Sequence, residues 1–293
     1  MKKLFKILIF FTLSNTAFAQ EIIPFELKDD NRIYIKASIN KSDTLSMVFD
    51  LGANITVLNT TRLKHHNLEI AFDSIVSNQG TNGKSNEKLS SNNSIKLGNG
   101  TYRNINILGI SYPENDILDG IIGWNFFETK KVRINYEKKE LVVYDILPEL
   151  SKNFTKSKLK FINNLPYIGT IVYNGRKKSK ILAMLDIGYN GELLIYAEEV
   201  KNNDLLNKFQ VIGEATSSGT DGSVSKSDVV LLPKFDIAGF EIYNMPAYLT
   251  KTEFKSVIPA LMGGNLLKRF HIVLDFKEKV VYIKPNTLIN SKF

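Results

Sequence analysis

Apolar and polar positions alternate along the chain in short runs, broken by Asn-Gly turn signals at 82–83, 99–100, 174–175 and 190–191. Such runs between turn residues predict β-strands rather than helices. The stretches VRINYEKKELVVY from Val132 and HIVLDFKEKVVYI from His271 each read as a hairpin. Two segments depart from the alternation, Gly-Trp-Asn-Phe-Phe from Gly123 and Gly-Gly-Asn-Leu-Leu from Gly263, and each predicts one short helix. The N-terminus follows another pattern. Lys2, Lys3 and Lys6 precede or flank the apolar run Ile7 to Leu13, and Ala17-Phe18-Ala19 supplies small residues after it. This predicts a secretory signal peptide over residues 1–19, cleaved before Gln20, because the apolar run is too short to span a bilayer.

The pattern is used twice. VFDLGANITVL from Val48 is answered by MLDIGYNGELL from Met184, and Gly80-Thr81-Asn82-Gly83 by Gly219-Thr220-Asp221-Gly222. Asn104 is answered by Asn244, IIGWNFF from Ile121 by LMGGNLL from Leu261, and Tyr34-Ile35 by Tyr167-Ile168. The spacing is 136 residues at Asp50 and Asp186, 139 at Gly80 and Gly219, and 140 at Gly123 and Gly263. A lone Asp-x-Gly carries little information, but ordered landmarks that drift by so few residues mark a duplication. The predicted organisation is a first lobe at 20–147, a polar Lys-rich link at 148–158 and a second lobe at 159–293. The fold class is all-β, with two homologous β-barrel-like lobes and a cleft between them.

Composition then narrows the chemistry. Of the 293 residues, 43% are hydrophobic and 23% charged, the balance of a globular protein. Cys is absent and only His65, His66 and His271 occur. That excludes a disulfide framework, a thiolate metal site and a cysteine nucleophile, and argues against a His-rich zinc site. His65-His66 reads as a surface pair, and Trp124, the single Trp, as core among Ile121, Ile122, Phe126 and Phe127. The formal charge of +8 falls to +5 without the three signal lysines. The remaining basic residues are scattered, and Arg176-Lys177-Lys178 follows a turn signal, so no nucleic-acid footprint is present. The chain reads as an exported monomer of the bacterial periplasm or exterior, with no membrane association after signal cleavage.

Asp50 and Asp186 are the candidate chemistry. A strand that delivers a carboxylate to a tight Gly turn can expose it at the bottom of a cleft, and duplication can bring two such carboxylates together. Two adjacent carboxyls share one proton, so one can activate a water while the other protonates a carbonyl or a leaving group. No metal or cofactor is needed for this. The single-motif alternative is that each Asp only caps a turn.

The paired Asp-x-Gly elements, each followed by apolar-apolar-Gly-x-Asn-apolar-apolar, resemble the aspartic proteases of the retropepsin/pepsin family in their two-lobe, single-chain form. The resemblance covers nearly the whole chain after the signal. It implies an endopeptidase with Asp50 and Asp186 as the catalytic pair, acting on an extended peptide or protein substrate. Gly52 and Gly188 fall beside the pair. Gly80, Thr81 and Gly83, with Gly219, Thr220 and Gly222, fall where hairpin flaps would cover the substrate. Two features depart from the family. Leu51 and Ile187 stand where it has Thr or Ser, whose hydroxyls bond across the lobe interface, and Tyr189 stands where it has a small residue. These departures lower the expected activity and keep a second reading open, a catalytically silent peptide-binding protein on the same fold.

Overall fold

Nearly every alternating run becomes a strand. The computed structural model describes residues 20–79, 84–114, 116–218, 224–251 and 258–293. The first lobe opens with β1 (Gln20–Leu27), β2 (Ile33–Ile39), β3 (Leu45–Asp50) and β4 (Thr56–Asn59). It continues with β5 (Ser74–Gln79), β6 (Lys84–Leu97), β7 (Gly100–Ile110) and β8 (Gly120–Gly123), and closes with the hairpin β9 (Lys131–Asn135) and β10 (Glu140–Tyr144). After β11 (Thr155–Lys158), the second lobe repeats the plan. It runs through β12 (Lys160–Ile162), β13 (Leu165–Asn174), β14 (Lys177–Leu185) and β15 (Leu193–Ile195), with α1 (Ala197–Asn202) next. Then come β16 (Val211–Ser218), β17 (Val224–Ile237), β18 (Phe240–Thr250) and β19 (Ala260–Met262), followed by α2 (Gly264–Leu267), β20 (Phe270–Asp275) and β21 (Val280–Pro285).

The same order of strand pairing occurs in both halves of the chain. In lobe one β3 pairs parallel with β8, β8 antiparallel with β4, and β4 parallel with β7. In lobe two β14, β19, β15 and β18 repeat that order and those directions. The two predicted helices differ between lobes: Gly264–Leu267 is a single α-turn, whereas Trp124–Phe127 is a 3-10 turn. The Lys-rich link is partly regular, since β11 within it pairs with β21.

The closing hairpins do more than end each lobe. β20 pairs antiparallel with β9, with Ile272 opposite Ile134, so β11-β21-β20-β9-β10-β1 form one sheet beneath both lobes. A hydrophobic cluster spanning both lobes runs through it and includes Leu51, Ile122, Ile187 and Met262, all fully buried. Trp124 is core, as expected, and also a stitch between lobes. Its ring packs on Phe161 and Phe276, and its Nε1 donates to the Asn164 carbonyl at 2.9 Å. His65 is exposed. His66 is not a free surface side chain, because its Nε2 lies 2.9 Å from Asp119 Oδ1, beside Arg62 Nε at 2.7 Å.

Candidate active site

β3 is buried on both sides along Met47 to Phe49 and ends on Asp50, whose backbone lies opposite Gly123 of β8. β14 ends on Leu185, and the Asp186 N–H donates to the Met262 carbonyl of β19 at 2.9 Å. Two central parallel strands thus carry their carboxylates to matching turns on the lobe interface. The side chains meet there: the Asp50 and Asp186 carboxyls are in hydrogen-bonding contact, and each residue is only 8% exposed.

The turns supply donors. The Gly52 N–H donates to Asp50 Oδ1 at 2.7 Å and the Gly188 N–H, from the other lobe, donates to the same oxygen at 3.0 Å. The Tyr189 N–H donates to Asp186 Oδ1 at 2.9 Å. The glycines are required by room rather than by backbone angle, since neither has φ in the left-handed region. A Cβ on Gly52 would lie 2.7 Å from Asp186 Cγ, and one on Gly188 would lie 2.5 Å from Asp50 Oδ2. Each glycine therefore faces the opposite lobe's carboxyl.

Burial makes ionisation of this pair unequal. Asp186 titrates well above the ordinary carboxyl range, first because it is desolvated and then because Asp50 is beside it. Asp50 is also raised by burial, but the Gly52 and Gly188 N–H groups, the Asp186 bond and Arg32 oppose that rise. The two carboxyls titrate as a coupled pair in which Asp186 is the more strongly raised. Tyr167 sits close enough for burial and the Asp186 charge to push its phenol up to about 12, so it stays neutral.

The apolar substitutions have a structural answer. Leu51 and Ile187 are fully buried in the shared core, so packing holds the turns where a hydroxyl bond is missing. Leu51→Ala should lower the unfolding free energy by about 2–5 kcal/mol, measured by urea denaturation, because the surrounding strands cannot collapse into the space. A loss well under about 1 kcal/mol would mean the turn does not depend on that packing. Tyr189 does not crowd the carboxyls; its side chain folds back against Gly191 and Gly263. Its ring meets Tyr248 edge-on at 6.5 Å, and both line a cavity of about 200 Å³ with Thr216, Ser217 and Ser227 of the second hairpin. Glu192 is buried and accepts from Asn265 Nδ2, tying the Asp186 turn to α2.

Of the residues singled out in the sequence, Asp50, Asp186, Gly52 and Gly188 converge. Gly80, Thr81, Gly83, Gly219, Thr220 and Gly222 lie outside the described residues. The hairpin stems that lead to them are described, β5 with β6 and β16 with β17. One residue at the site escapes the motif search. Arg32, at the entry to β2, reaches across the interface and donates from Nε to the Gly188 carbonyl at 2.9 Å. Its signal in the sequence is an asymmetry: aligning Tyr34 with Tyr167 puts Leu165 at its place in lobe two.

Comparison with known proteins bears on the family and the fold. Residues 35–126 match the family described as aspartyl protease. A comparison with curated protein sequences found no match. Among solved structures, the chain is similar to the aspartic proteinase from Irpex lacteus, with TM-score 0.62 and 13% identity over 93% of this chain and 99% of that one. The fold is thus the two-lobed, all-β architecture of the pepsin-like proteinases. The match to the aspartyl protease family on the first lobe and the pepsin-like fold together support a general aspartic protease function.

Proposed function

We propose that this protein is an exported aspartic endopeptidase whose Asp50 and Asp186 act together on one water. The observation that carries the reading is the contact of two buried carboxyls across the lobe interface, with unequal ionisation. Asp50, ionised and held by two N–H groups, accepts a proton from the water as it attacks a peptide carbonyl. Asp186, protonated, gives its proton to the carbonyl oxygen. The tetrahedral adduct then collapses: its C–N bond breaks as the carboxyl now protonated, Asp50, delivers a proton to the leaving nitrogen, and one adduct hydroxyl returns its proton to Asp186 as the product carboxyl forms, so the pair recovers its single shared proton. An extended peptide would lie between the stems of the β5–β6 and β16–β17 hairpins, held by main-chain bonds and selected by pockets for alternate side chains. Export rests on the basic, apolar and small-residue order of residues 1–19.

The test is cleavage of a peptide library by residues 20–293 from about pH 3 to pH 8, a range that brackets ordinary and raised carboxyl titrations. Bond-specific cleavage with a bell-shaped pH profile supports the reading. Peptide binding without turnover at any pH would replace it with a silent binding protein.

The same ionisation predicts how stability depends on pH. A carboxyl whose folded titration lies above its unfolded value stabilises the fold fully only below the unfolded value of about 3.9. As pH rises past that point the unfolded chain ionises while the folded pair keeps its proton, and stability falls until the folded titration is passed. Asp186→Asn removes this loss. Its melting temperature should match the native chain near pH 3 and exceed it near pH 7, read by calorimetry. Equal melting temperatures at both values would mean that Asp186 is not protonated in the fold.

A further inference from the structure

Arg32 is a charge that the interface does not need for cohesion. The β1–β2 turn already clasps lobe two through its neighbour Asn31, whose Nδ2 donates to the Asn190 carbonyl at 3.2 Å and whose Oδ1 accepts from Lys268 Nζ at 2.7 Å. The matching turn of lobe two clasps lobe one with neutral groups: Asn164 accepts from Trp124 Nε1, and Asn163 from Asn54 Nδ2 at 3.4 Å. Leu165 occupies the place of Arg32 there. Joining the lobes therefore does not explain a guanidinium on one side only.

Its contact offers an explanation. Arg32 Nε donates to the carbonyl oxygen of Gly188, and that carbonyl belongs to the same peptide unit as the Tyr189 N–H. The Tyr189 N–H donates to Asp186 Oδ1. A cation on the oxygen end of a peptide polarises its N–H end, and hydrogen bonds in series through one amide strengthen one another. Gly188 meanwhile gives its own N–H to Asp50. Fixing this one residue thus fixes a donor to each carboxyl.

We propose that Arg32 is a positioning residue for the Asp50–Asp186 pair: it orients and polarises the Gly188–Tyr189 peptide and so sets the pH window in which the pair works. The inference rests on the protease reading for its effect on cleavage, but not for its effect on the carboxyls themselves. Asp30 tempers the charge, lying 3.8 Å from one guanidinium nitrogen while also accepting from Tyr34 Oη at 2.7 Å. Asp116 and Tyr34 also interact with Arg32, and the phenols of Tyr112, Tyr167 and Tyr189 lie within electrostatic reach of the pair. None of these phenols ionises below neutral pH, because burial raises all three. The sign follows. Arg32 favours the ionised carboxyls, as its field on both shows. Removing it moves both limbs of the pH profile to higher pH; removing Asp30 moves them to lower pH.

The experiment compares the native chain, Arg32→Met, Arg32→Lys and Asp30→Asn by two readouts. One is the pH profile of kcat/KM on a cleaved peptide. The other is the titration of 13C-labelled Asp carboxyls without substrate, assigned with Asp50→Asn and Asp186→Asn. Arg32→Met should raise the midpoints by about one unit, within the range of a nearby opposite charge. Arg32→Lys should recover part of that shift, and Asp30→Asn should shift the midpoints the other way. A role confined to structure would lower kcat/KM at all pH values without moving the midpoints, and that result overturns the proposal. If the native chain cleaves nothing but the carboxyl titration rises in Arg32→Met, the proposal stands and the protease reading falls. Should Arg32→Met fail to fold, an unmoved titration in both Arg32→Lys and Asp30→Asn overturns it.

Discussion

Asp50→Asn and Asp186→Asn are each expected to lower kcat by at least about 10³-fold while leaving KM within a few-fold, the range of a lost general acid or base. The two losses have different causes. Asn at 50 still accepts the Gly52 and Gly188 N–H bonds through Oδ1, so the turn geometry survives, but its amide cannot take a proton from water. Asn at 186 still accepts from Tyr189 and can donate a hydrogen bond to a substrate carbonyl, but it cannot release the proton that the adduct requires. On the proposed mechanism the pair works as one unit, so the double variant should be no slower than the slower single one, a failure of additivity that unconnected sites would not show. Circular dichroism would show native folds in all three. Cleavage above about a tenth of native in either single variant would end the dyad proposal.

The matched motifs of the two halves explain why this much was legible in the sequence. Asp50 and Asp186 gained meaning only from each other, and the matched segments around Gly123 and Gly263 fixed the strands beneath them. The hairpin character of 132–144 and 271–283 was equally plain, because alternation and turn residues agree there. Other features carry no local signal. β11 is Thr-Lys-Ser-Lys, almost wholly exposed, and is a strand only because β21 offers it a backbone edge. α1 buries Val200 alone, too little for a helical period to register. The sheet that joins the lobes depends on Ile272 meeting Ile134, residues whose pairing no local pattern encodes. Arg32 lies 156 residues from the carbonyl that it binds, so its position at the site emerges only once the lobes are assembled. Tyr189 shows the opposite problem: its bulk was visible, but the space over Gly191 and Gly263 that receives it was not.

Gly188→Ala should be the most damaging substitution that removes no functional group. A methyl at 188 would stand 2.5 Å from Asp50 Oδ2 and 2.7 Å from Asp50 Cγ, well inside contact distance. The carboxyl cannot simply swing away, because it is anchored by the Gly52 N–H, by the Gly188 N–H and by Asp186 itself. Either Asp50 is pushed off its donors or the two lobes part by a fraction of an ångström. Catalytic alignment is more sensitive to this than folding is. Overpacking of this kind destabilises by about 1–3 kcal/mol, whereas misplacing a reacting group by about 1 Å lowers rate on the order of 10²-fold. The expected result is therefore a fold that melts slightly earlier with kcat down by about two orders of magnitude. Gly52→Ala, which meets Asp186 Cγ at 2.7 Å, should behave alike. Gly169→Ala is the control, because a Cβ there meets nothing within 4 Å, and both its stability and its activity should remain near native. If Gly188→Ala cleaves within about threefold of the native chain, far short of the loss that misalignment brings, the Asp50 carboxyl is not held against the opposite turn and the geometry of the pair is wrong.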